Sequence, residues 1–183
     1  MSDAGTASLG YLSWRHSPET RHYTGGLLVV SEEGFPREFR CTEPVRATSV
    51  QSILYGDSLR QYVLSTLIGG NLWQALQRRP PVLLINDREL WCVEEGIEAP
   101  MGLMLPADDA ERMLEMGDAQ GSEDSFMVNL PDGGQVVVSV RGGSASAVST
   151  CEQLISQCST RMNIYEPFSR VDAVLEALEK KQE

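Results

Sequence analysis

GGLLVVSEEGFPREFRCTEPV, residues 25–45, sets two extended runs on either side of a Glu-Glu-Gly-Phe-Pro turn. The first run, leucine and valine from Leu27 to Val30, is a strong strand signal. The second alternates: Phe39 and Cys41 point one way, and Glu38, Arg40 and Thr42 the other. A strand with one wet face accounts for those charges, and opposite charges two residues apart discourage stray edge pairing. Glu43 and Pro44 end the run, because proline cannot donate to a ladder. With YLSWRH (11–16) before them, the two runs predict three consecutive antiparallel strands.

Outward from this hairpin the pattern turns helical. Thr48 and Ser49 offer an N-cap, with Gln51 placed for a capping box. Apolar residues then recur at three- and four-residue steps to Leu76, interrupted at Gly56 and at Gly69-Gly70. Arg78-Arg79-Pro80-Pro81 stops the segment. VLLIN (82–86) reads as a short central strand, ELWCVEE (89–95) as a weaker one and MGLML (101–105) as another. Asp108 and Asp109 open a short helix, where the dipole favours acids. SFMVNL-PDGG-QVVVSV (125–140) is a hairpin around a Pro-Asp-Gly-Gly turn. Two helices close the chain, the last opening at Glu166-Pro167.

The expected fold is therefore α+β. It is a single domain over residues 1–183, with an antiparallel or mixed sheet of five to seven strands packed against central and C-terminal helices. Residues 1–8 read as a disordered lead-in and 117–124 as a flexible loop.

The order of three strands, a helix and then VLLIN resembles the opening of ribonuclease-H-like nucleases, and equally suits profilin-like or roadblock-like scaffolds. The nuclease chemistry needs a carboxylate on the first strand to hold a metal ion. LGYLSWR (9–15) has none, which counts against that activity.

Charge and cysteine usage narrow the function further. The net charge of −11 is uneven: residues 1–80 hold eight arginines and seven acids, residues 81–183 seven basic residues and nineteen acids. Twelve acids between Asp87 and Asp124 would repel a phosphate backbone, so nucleic acid and anionic membranes are not expected partners. Cys41, Cys92, Cys151 and Cys158 form no C-x-x-C pair and have no histidine at ligand spacing. The N-terminal MSDAGTASLG lacks the basic and apolar regions of an export signal. Reduced thiols in a cytoplasm follow, with no metal and no cofactor.

Two places carry binding potential. Arg141, Gly142, Gly143 and Ser144 join a strand to a helix, where backbone N–H groups and an arginine suit an anion. Glu38, Arg40, Glu43 and Arg46 would line a groove in which arginine meets a carboxylate or phosphate. His16 and His22 lack the third partner that zinc or a catalytic triad requires. The functional expectation is a non-enzymatic interaction or assembly module that self-associates or joins a protein partner. The alternative is a small protein acting on a phosphorylated or carboxylated metabolite at the 141–144 loop.

Overall fold

The computed structural model describes residues 7–18, 20–115, 123–141 and 144–180. Seven strands form one mixed sheet in the order β3-β2-β1-β4-β5-β7-β6. They are β1 (Ser8–Ser17), β2 (His22–Ser31), β3 (Pro36–Cys41), β4 (Leu83–Ile85), β5 (Met101–Pro106), β6 (Glu123–Asn129) and β7 (Gln135–Arg141). The three opening strands pair antiparallel, β1–β4 and β4–β5 are parallel, and the closing hairpin returns antiparallel to β5. The α+β expectation holds, with seven strands and both sheet faces covered.

Strand alternation divides the core in two. Leu9 and Tyr11 of β1, with Leu28 and Val30 of β2, face α5 (Ala145–Ser159) and α6 (Glu166–Glu179). Leu12, Leu27 and Val29 face the opposite layer, built from the helical run 59–75 and the turn of 3-10 helix Arg88–Gly96. On the first face, Tyr11 donates to the Ile164 carbonyl at 2.9 Å, and its ring meets Phe168 edge-on at 5.0 Å. On the second, a Cβ built on Gly25 would overlap the Cγ2 methyl of Ile68, so only glycine lets the helical layer approach the sheet this closely.

Local signals account for the elements. The capping box forms: Thr48 Oγ1 accepts from Gln51 N–H at 3.1 Å and Gln51 Oε1 from Thr48 N–H at 2.9 Å, opening α1 (Ser49–Tyr55). The run continues through a short 3-10 turn, α2 (Leu59–Tyr62), a π-helical stretch Val63–Gly70 and α3 (Asn71–Ala75). Gly56, with φ of 49°, interrupts it as expected, whereas Gly69 and Gly70 lie inside the continuous helical run.

ELWCVEE is a correction. Asp87 caps this segment by accepting from Glu89 N–H at 2.9 Å, and Leu90, Trp91 and Val93 are buried on one helical side. Residues 90, 91 and 93 do not alternate, which is why the strand reading failed.

α4 (Ala107–Glu115) carries Asp108 and Asp109 in its first turn, as expected. The lead-in 1–8 lies outside the described residues as far as residue 6, and β1 begins at Ser8. Most of 117–124 also lies outside them, and β6 begins at Glu123. Among the described residues, no helix is long and apolar enough to cross a membrane.

Candidate functional site

The parallel pairing of β1 with β4 ends at Leu12 beside Ile85, where β4 stops and β1 runs on to Ser17. That end of an α/β sheet is where ligands commonly gather. Ser13 and Trp14 follow Leu12 on β1 and point to opposite faces. The buried Ser13 hydroxyl donates to Asp172 Oδ1 of α6 at 2.6 Å. On the other side, Trp14 Nε1 donates to Asp87 Oδ2 at 3.0 Å. Arg60 lies 4.9 Å over the Trp14 ring and pairs with Glu89 at 2.9 Å. The sheet therefore separates the two aspartates.

Among the described residues, no group of three or more His, Cys, Asp or Glu is placed to hold a metal ion. The metal-assisted chemistry attached to this element order does not fit the residues present. Three of the four thiols are poor nucleophiles, since burial pushes Cys92, Cys151 and Cys158 up to about 11.

A second place is built where β3 meets the loop after α3. It is a groove of about 960 Å³ whose charged lining is Arg37, Arg40, Arg78 and Arg79 against Glu32 and Glu38. Glu32 is held by Arg161 at 2.7 Å and by Gln157 at 2.8 Å.

Glu38 organises the groove. Its carboxylate pairs with Arg40 at 2.7 Å and accepts from the backbone N–H groups of Gln77 at 3.1 Å and Arg78 at 3.4 Å. The strand charge that alternation explains as a wet face thus clamps the first turn of the Arg-Arg-Pro-Pro loop. Arg79 lies 5.7 Å over the Trp73 ring and pairs with Glu98.

Burial opposes the charge on Glu38, but the Gln77 N–H, the Arg40 guanidinium and the Arg78 N–H outweigh it and hold the carboxyl below its ordinary value. A carboxyl lowered on folding stabilises the protein above its unfolded pKa and loses that contribution as pH falls through the folded value. Glu38→Gln is therefore expected to cost about 1 kcal/mol at neutral pH. The gap from wild type should close as both chains are acidified below the ordinary carboxylate range. Urea denaturation across pH checks this, and a gap independent of pH would separate Glu38 from the loop.

Of the four groove residues read from sequence, Glu38 and Arg40 line this cavity, while Glu43 and Arg46 flank Val45, which bridges Tyr23 at the far end of β2. Arg37, Arg78 and Arg79 were missed. Arg78 and Arg79 were read only as a helix stop, although a basic doublet in an acidic chain was a signal in plain view.

At the 141–144 loop, Ser144 caps α5 by accepting from Ala147 N–H at 3.3 Å, and Arg141 lies 5.8 Å over the Trp91 ring. Gly142 and Gly143 lie outside the described residues.

No protein-family model matches the sequence, and comparison with curated proteins finds no relative. Solved structures do resemble it. Endonuclease V of Streptomyces avermitilis superposes with a TM-score of 0.56 at 12% identity, covering 98% of this chain and 84% of that one. Endonuclease V of Bacillus subtilis gives 0.54 at 11%, covering 99% and 85%. The chain shares the endonuclease V fold. The Ciona intestinalis endonuclease V, solved with a 24mer DNA containing an inosine followed by a ribo-adenosine, gives 0.51 at 13%, covering 100% and 89%.

This likeness overturns the sequence-based function. The expected non-enzymatic assembly module, with a protein partner or a second copy and with nucleic acid excluded, is corrected: its architecture is that of nucleases, one of them solved on DNA. The exclusion rested on the acidic stretch Asp87–Asp124, whose described residues do not line the arginine groove. Phosphate senses the local field, and the arginines are gathered in one groove.

Proposed function

We propose that this chain binds nucleic acid, with the phosphate backbone running through the groove lined by Arg37, Arg40, Arg78 and Arg79. One observation carries the reading: in a protein of net charge −11, four arginines face two glutamates across a single groove of about 960 Å³. Guanidinium groups match phosphate oxygens in charge and in geometry. The endonuclease V fold supports the reading, as does the DNA in the Ciona structure. The protein works in a cytoplasm, a setting that suits its four unbridged cysteines.

Binding of this kind is driven by counterion release and weakens steeply with salt. Fluorescence anisotropy with a labelled single strand is expected to give log K falling linearly against log [salt], with a slope of about −0.7 for each phosphate neutralised. Arg37→Ala should make the slope shallower by about 0.7. A slope that does not move takes Arg37 off the phosphate path, and no binding at about 50 mM salt removes the proposal.

A further inference from the structure

We infer that this chain holds a bound strand and leaves its phosphodiester bonds intact when Mg2+ or Mn2+ is supplied, an inference that rests on the binding reading above. Hydrolysis by bound metal ions requires carboxylates that converge on the ion and on the scissile phosphate. Where the β1–β4 pairing ends, Asp172 and Asp87 diverge. Asp172 lies on the α6 side, taken up by the buried Ser13 hydroxyl at 2.6 Å. Asp87 lies on the other side, accepting from Trp14 Nε1 at 3.0 Å and from Glu89 N–H at 2.9 Å.

Ser13 and Trp14 are consecutive on a strand, so their side chains leave opposite faces and the sheet stands between the two acids. The position between them carries a hydroxyl and an indole where an ion would need a third oxygen anion. Arg60, 4.9 Å over the Trp14 ring, pairs with Glu89 at 2.9 Å on the Asp87 side. A divalent cation brought here meets Asp87 already serving as a hydrogen-bond acceptor and Glu89 already matched by a guanidinium, which the ion would have to displace. The groove arginines need none of these groups, so recognition of the backbone stands apart from hydrolysis.

The experiment uses the full chain and an end-labelled oligonucleotide, with Mg2+ and Mn2+ in separate arms. Anisotropy reports binding, denaturing electrophoresis reports strand length, and the melting temperature with and without Mn2+ reports metal binding independently of activity. The expected result is a saturated anisotropy signal, a full-length strand in both arms and a melting temperature that Mn2+ leaves in place.

Fragments produced by the wild-type chain, abolished by a chelator and absent with Arg37→Glu, Arg79→Glu overturn this inference and leave the binding reading standing. A clear upward shift of the melting temperature by Mn2+, lost in Asp172→Asn or Asp87→Asn, also overturns it, because it would reveal a metal site. A strand that never binds overturns the binding reading and this inference together.

Discussion

Phe168→Ala is expected to destabilise the protein by about 3–5 kcal/mol, the range for removing a buried aromatic side chain. Phe168 is 1% exposed, sits in the first turns of α6 and packs edge-on against Tyr11 at 5.0 Å, with Tyr165 at 5.6 Å. Three things go at once: the transfer free energy of the ring, its aromatic contacts and the packing around the cavity left behind. Collapse into that cavity is restricted, because Tyr11 is tied to the Ile164 carbonyl and Val171 and Leu175 lie on the same helix face. Urea denaturation should show a lower midpoint at unchanged slope. A loss under about 1 kcal/mol would mean that α6 does not rest on β1 through this residue. The result bears on function because α6 also carries Asp172, which holds Ser13 just beyond the end of the β1–β4 pairing.

Most of the fold was readable because its signals are local. The capping box, the Pro-Asp-Gly-Gly hairpin, the alternation along β3 and the apolar run of β4 each require only neighbours in sequence. The misreading of residues 89–95 has the complementary cause. A single hydrogen bond from Glu89 N–H to the Asp87 side chain starts a helical turn, and its burial pattern forms against the π-helical stretch from another part of the chain.

The groove was half readable. Glu38 and Arg40 share one strand face and could be paired on paper, whereas Arg78 and Arg79 are brought to them by the fold, through Glu38 itself. No periodicity encodes a bond between residues 38 and 78.

Charge shows the same limit more sharply. The twelve acids between Asp87 and Asp124 led to the exclusion of nucleic acid, yet among the described residues none of them lines the groove. At physiological ionic strength the Debye length is about 8 Å, so Glu98, which pairs with Arg79, is felt at the groove, whereas carboxylates beyond that length are largely screened from it. A sum over the chain weights every charge equally. A bound strand weights them by distance, and the fold assigns the distances.

Reversing two of those charges tests this directly. Arg37→Glu with Arg79→Glu turns a lining of four arginines and two glutamates into two arginines and four glutamates, so the groove changes from attracting phosphate to repelling it. Affinity for a single strand at low salt is expected to fall by about 100-fold or more, which is about 2.8 kcal/mol at 1.4 kcal/mol per factor of ten. The deficit should shrink as salt rises, because the lost contribution is counterion release. Both arginines lie at the surface, and exposed ion pairs such as Arg79–Glu98 add little to stability, so the melting temperature should stay within a few degrees of wild type. The paired control, Arg37→Lys with Arg79→Lys, keeps the charge and removes the planar fork. Retained affinity would identify the contacts as point charges on phosphate, and a loss of about tenfold would identify them as bidentate. If the double reversal binds as tightly as wild type while its salt slope is unchanged, the strand runs elsewhere on the molecule and the arginine groove has no part in holding it.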